Sequence, residues 1–267
     1  MSTAVVYLRL VRIQVRSQLQ YRTSFALSIA GTFLFTTLDF ATILILFSNV
    51  STIGGWSASQ VALLYAASAL SFALIEIVLG SLDRLPVFIR NGMFDTIMVR
   101  PRSAFFQLLA TDFLFRRAGR LFQSVIVLVI VATQFLKVEW TAARVVMLCL
   151  TVISGAVIMG SVWVIAASVA FWVDDAAEFV NAFTTGAAYL AQYPVDIYKS
   201  WLRSLVFFVI PIGFATYLPL AWVLGRPNVS GLPTIFQFST PVVAAVTVFI
   251  ASVVWRISIR RYRSAGG

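Results

Sequence analysis

The run SVIVLVIVATQFL, residues 124–136, carries no charge and no alternation of apolar with polar residues. A strand of a membrane barrel would alternate lipid-facing and lumen-facing chemistry over about ten residues. A helix in lipid is apolar all round. LVFFVIPIGFATYL, residues 205–218, is continuous in the same way. The fold class is therefore all-α. Composition says where the helices sit: 60% of residues are hydrophobic, 11% are charged and the mean hydropathy is +0.94, against about 25% charged in an ordinary soluble domain. This is a polytopic membrane protein.

Crossing a hydrocarbon core takes roughly 20 apolar residues. Six stretches qualify, near Phe25–Phe47, Val61–Leu79, Leu121–Leu136, Val145–Val173, Leu205–Leu224 and Phe236–Trp255. What remains is too little for a soluble domain, so residues 1–267 read as one transmembrane domain. The first run is too long for a signal peptide and no small-residue cleavage site follows it, so it reads as a retained helix. The single cysteine, Cys149, excludes an intramolecular disulfide and reads as a small buried hydrophobe of the fourth span.

The net charge of +10 has meaning through its distribution. Arg9, Arg12, Arg16 and Arg22 precede the first span. Arg84, Arg90, Arg100, Arg102, Arg116, Arg117 and Arg120 lie in the second loop. Lys199 and Arg203 precede the fifth span, and Arg256, Arg260, Arg261 and Arg263 close the chain. Only Lys137, Arg144 and Arg226 fall on the other side, a division of 17 against 3 among the 20 Lys and Arg residues. The positive-inside rule then places both termini and the second and fourth loops in the cytoplasm, without any nucleic-acid partner. Leu8, Val11, Val15 and Leu19 recur at helical spacing with Arg9, Arg12 and Arg16 on another face, so residues 1–24 read as an amphipathic helix on the inner leaflet.

The second loop, residues 80–120, is the longest in the chain, and loops of that size carry function more often than connection. Asp83–Arg90 and Ser103–Phe115 read as short helices separated by NGMFDTIMVRP. Asn91-Gly92 signals a turn, and Pro101 disfavours helix at Arg100. A merely solvated basic loop does not need Phe88, Met93, Phe94, Ile97, Met98, Phe105 and Phe106. That many large apolar groups point to a partner surface.

Several chemistries are absent from the sequence. There is no histidine, hence no Ser-His nucleophile pair and no ordinary zinc or haem site. Asp174, Asp175 and Glu178 cluster in WVDDAAE, where acids at a helix end serve as caps or ion pairs more readily than as a metal site. No GxxxxGK[ST] loop occurs, so the chain hydrolyses no nucleotide by that route. Two carboxylates lie inside spans, Asp39 in the first and Glu76 toward the cytoplasmic end of the second. Intramembrane acids face a cavity or a partner group. Either they line a translocation path or they make structural bonds to neighbouring helices, Arg84 and Arg90 being within reach of Glu76.

Three stretches, NGMFDTIMVRPRSAFFQ at 91–107, YPVDIYKSWLRSLVFFVIPIGFATYLPLAWVLG at 193–225 and RRYRSAGG at 260–267, together with the span pattern, resemble the permease subunits of type-2 ABC exporters, within a bacterial six-span subfamily. The resemblance implies a place in the cell's inner (plasma) membrane. It also implies a second permease subunit, identical or paralogous, and two cytosolic ATPase subunits that bind ATP and Mg, while this chain binds no cofactor. In that class a short coupling helix in the second-to-third span loop docks into the ATPase. Carried onto this chain, Arg84, Arg90, Arg100 and Arg102 would pair with acidic groups of the ATPase. Phe88 and Phe94 would fill its pockets, and Asn91, Gly92, Asp95 and Pro101 would fix the loop's shape. The other reading of the sequence is an ion-coupled secondary carrier or channel using Asp39 and Glu76.

Overall fold

The computed structural model describes residues 12, 13, 16, 20, 22–101, 103–111, 117–173, 176–226 and 232–262. Almost all of the expected amphipathic helix over 1–24 falls outside these residues, as do Arg102, Asp174 and Asp175. Among the described residues the secondary structure is helical apart from one hairpin of two-residue strands, Thr52–Ile53 (β1) against Trp56–Ser57 (β2).

Five helices are long and apolar enough to cross a membrane. Helix α1, Arg22–Asn49, leads through the hairpin to α2, Ala58–Leu79. The start of α2 is fixed by a capping box in which the Ser57 amide donates to Gln60 Oε1 at 3.1 Å. A 3-10 turn over Gly80–Arg84 then opens the loop. The loop contains α3 (Leu85–Arg90), α4 (Met93–Met98) and α5 (Ala104–Thr111). The two expected loop helices are thus present, and the stretch expected to separate them holds a third, α4.

Helix α6, Ala118–Ile130, is prolonged by a π-helical turn over Val131–Phe135, and α7, Ala142–Ser168, by a 3-10 turn over Val169–Phe171. The last helix, α11, spans Thr240–Ile259. The hydroxyls of these apolar helices, among them Ser71, Thr151 and Ser168, donate to carbonyls four residues back, which satisfies them without water. Helix α7 forms the spine. Gly155 lets it approach α2, because a Cβ there would lie 2.9 Å from Ser71 Oγ and 3.2 Å from the Ala215 carbonyl oxygen. Cys149 on this helix is exposed rather than buried, having turned to the outer side of the bundle.

The expected fifth crossing is not one straight helix. Residues 205–224 do not form one helix. Helix α9, Ser200–Ser204, runs through a π-helical turn to Val209, breaks at Pro211, and resumes as Gly213–Tyr217 and α10, Leu218–Val223, with an 80° bend between the two halves. Proline removes an amide donor and restrains the residue before it, and Ile210 is accordingly non-helical at φ −120°, ψ 88°.

Both ends of this bent pair lie on one face. Arg203 donates to the Asp196 carbonyl at 3.1 Å, Asp196 Oδ2 accepts from Trp56 Nε1 at 2.8 Å, and Arg226 donates to Gln60 at 3.0 Å. Trp56 and Gln60 stand at the start of α2. The segment that traverses the bundle is instead α8, Ala177–Leu190, with its continuation to Ile197. It begins against the turn at Gly80–Arg84, meets Ser68 at the Ala188 carbonyl and ends at Trp56 through Asp196. It covers the depth that α2 covers.

Besides the five helices long and apolar enough to cross, residues 200–223 thus enter the bundle and return toward the Trp56 end. Arg203 lies beside Asp196 at the Trp56 end of α2, away from the loop, and counting it and Lys199 with Lys137, Arg144 and Arg226 would make the division 15 against 5. Sequence scanning missed α8 because it is short and carries Asn181, Thr184 and Thr185.

Candidate functional site

Two places gather the chemistry singled out in the sequence: the loop between α2 and α6, and a polar cavity inside the bundle.

In the loop, Gly92 takes the left-handed φ of +67°, a conformation that costs glycine nothing. The chain turns there so that α4 packs back on α3. Helix α4 is two-faced. Phe94 is fully buried between the rings of Phe171 and Tyr262, at 5.4 and 4.9 Å, and Ile97 lies beside it in the same core. Phe88 is buried too, with the Arg84 guanidinium 5.3 Å from its ring centre.

This corrects the expectation that Phe88 and Phe94 fill a partner's pockets. At helical spacing a short amphipathic segment turns its largest aromatic groups to its own core. The apolar side chains that face outward are Met93, Met98 and Val99, the last 85% exposed, flanked by exposed Arg90, Asn91, Arg100 and Pro101. Asp95 accepts a hydrogen bond from the Tyr262 hydroxyl at 2.8 Å. Burial first, then that bond and the carboxylate's charge, push Tyr262 up to about 12, so its hydroxyl remains a donor at neutral pH. The loop is thereby tied to the end of α11, a link that no periodicity of the sequence signals.

Glu76 forms ion pairs with Arg120 at 3.2 Å and Arg117 at 3.9 Å, not with Arg84 or Arg90. Arg117 also donates to the Gly80 carbonyl at 2.8 Å. The basic end of α6 reaches the carboxylate first because α6 packs along α2.

Asp39 differs. It is half-buried and has no hydrogen bond to a described residue. It faces a cavity of about 30 Å³ lined among others by Tyr65, Arg120, Gln123, Tyr189 and Gln192, large enough for about one or two waters. Tyr65 and Gln123 both donate to the Thr36 carbonyl, at 3.0 and 3.3 Å, while the buried Gln123 amide oxygen has no partner among the described residues. Arg120 closes one end, shared between Glu76 and the field at Asp39. Four helices, α1, α2, α6 and α8, contribute to this cavity. Asp39 was identifiable from sequence as a charge in an apolar run. Its polar neighbours were not, because no spacing connects them.

No group of three or more His, Cys, Asp or Glu that could hold a metal ion occurs among the described residues. No curated protein and no solved structure gives a significant match to the chain. A family model described as ABC-2 family transporter protein matches residues 33–266. Since that match runs from within the first span to the last residue but one, the chain belongs to the ABC-2 transporter family and is a type-2 ABC permease, the membrane-embedded part of an ABC transporter.

Proposed function

We propose that this permease is the transmembrane subunit of an ATP-driven exporter, paired with a second permease subunit and driven by two ATPase subunits that dock on the loop between α2 and α6. The observation that carries the reading is the construction of that loop. Its three short helices are anchored on a buried aromatic core, yet they present Met93, Met98 and Val99 outward amid Arg90 and Arg100. An exposed apolar cluster ringed by basic groups is what an acidic-rimmed cleft of a partner recognises. A rigid attachment through Tyr262 and Asp95 would carry a push on α4 directly into α11.

The cavity around Asp39 supplies a polar element where the two permeases would border a path. A carboxylate there must meet water or a polar group rather than hydrocarbon.

The test is co-expression with the ATPase. Arg90→Glu combined with Val99→Asp should abolish co-purification and the permease-dependent stimulation of ATP hydrolysis, while membrane insertion and the melting temperature are retained. An unchanged complex with unchanged stimulation would remove the loop from the docking role.

A further inference from the structure

On the lipid-facing side of the bundle, away from the Asp39 cavity, a groove of about 650 Å³ runs between α2, α7 and α11 and is roofed at one end by the start of α5. Its walls are Ile75, Val157, Val164, Val248 and Ala251. Gly160 keeps its wall shallow. The size lies within the range of about 300–1,000 Å³ typical of ligand sites, but the walls are apolar and the groove is open along one side, which suits a flexible hydrocarbon chain rather than a polar solute.

Its end on the face of the α2–α6 loop has different chemistry. Arg256 and Ser252 project there one turn apart, with Ser103 opposite. All three are exposed. Among the described residues Arg256 forms no ion pair or hydrogen bond, and no acid lines the groove. Trp255 and Phe105, 5.0 Å apart, lie at the same level, where aromatic rings mark the boundary between hydrocarbon and headgroups. Arg260 follows one turn further on.

We propose that this groove binds one anionic phospholipid from the leaflet on the loop side, an acyl chain lying along α7 and α11 and the phosphate held by Arg256 with the hydroxyls of Ser103 and Ser252. Charge complementarity selects this occupant: a basic end with no counter-ion among the described residues, beneath a mainly apolar slot, matches an anionic headgroup on a hydrocarbon tail. Because α5 and Phe105 belong to the α2–α6 loop, the lipid would also touch the element that carries α4.

The full-length permease in nanodiscs tests this. Trp255 is the reporter, its contribution being the fluorescence lost in Trp255→Phe. Dibrominated phosphatidylglycerol at low mole fraction in phosphatidylcholine should quench Trp255 roughly fivefold more effectively than dibrominated phosphatidylcholine at the same fraction in phosphatidylglycerol, as expected for one added cation–anion contact near the membrane surface. Arg256→Gln should erase that preference, Arg256→Lys should keep it, and Ser252→Phe, which fills the open side, should reduce quenching by both lipids. Equal quenching by the two lipids with no effect of Arg256→Gln would mean a slot facing bulk lipid, and would overturn the proposal. Absence of quenching by either lipid would mean that a second copy or another segment of the chain covers the groove, and would overturn it equally.

Discussion

Asp196 holds the far face together. Its two carboxylate oxygens accept from Trp56 Nε1 at 2.8 Å and Tyr217 Oη at 2.7 Å, and Arg226 lies 4.2 Å from the Trp56 ring centre. Removing the acceptor strands two partly buried donors, each costing about 1–3 kcal/mol. Asp196→Ala should therefore lower the thermal midpoint of the purified permease clearly, and Asp196→Asn, which keeps one acceptor oxygen, by less. Phe94 makes a second contrast. Truncating a fully buried aromatic costs about 3–5 kcal/mol, whereas an exposed change such as Val99→Ala stays within about 0.5 kcal/mol. Phe94→Ala should thus fail by instability and Val99→Ala should remain folded, as read by melting in detergent. Asp39→Asn keeps size and hydrogen bonding but removes charge. It should leave assembly intact and alter transport, and a cysteine at position 39, with Cys149→Ser, should react with a hydrophilic thiol reagent. Normal transport together with no labelling would make Asp39 a structural group.

At the level of elements, length and apolarity were enough to locate α1, α2, α6, α7 and α11, each within a few residues of its end. They did not show the 80° break within residues 200–223 or the helix before it, and the reason is physical. Hydropathy counts transfer free energy along the chain, and it cannot distinguish a run that crosses from one that enters and returns. Pro211 was the local sign of the return, but proline also occurs within true spans. Helix α8 was hidden for the opposite reason: it is short, carries Asn181, Thr184 and Thr185, and buries Thr184 against its neighbours. The cavity was half legible: Asp39 stood out, while Tyr65, Gln123 and Gln192 joined it only through packing. In a Cys149→Ser background, cysteines at Lys199 and Arg226 should react with an impermeant maleimide from one face, and a cysteine at Met98 only from the other. Labelling of Lys199 together with Met98 would restore the spanning reading of residues 205–224.

Across the whole molecule, burial is uneven. Helix α1 has only Thr36 and Ile43 buried, while Leu34, Phe35, Leu38 and Ile45 are exposed; α2 is covered along most of its length. A span so bare can face either lipid or another subunit. The Asp39 cavity lies on this helix, so a second permease is expected against it. Cysteines at Leu34 or Leu38 should form disulfide-linked dimers in the assembled transporter on mild oxidation, whereas one at Val253 on α11 should not. Crosslinking at Val253 alone would move the subunit contact to the opposite side of the bundle.

The bent pair around Pro211 also bears on how the protein is made. The insertion machinery meets the chain one segment at a time and responds to hydrophobicity, so a nascent chain ending near Leu224 offers it a run long enough to be threaded across. Only the bundle already in place, with Asp196 and Trp56 holding α9 and with α7 closed against Ala215, gives the hairpin a reason to turn back. The order of synthesis would then bear on the fold: α2, α7 and α8 precede residues 200–223 in the chain, whereas α11, which holds the turned-back arm through the bond from Thr240 to the Phe214 carbonyl at 2.9 Å, follows them.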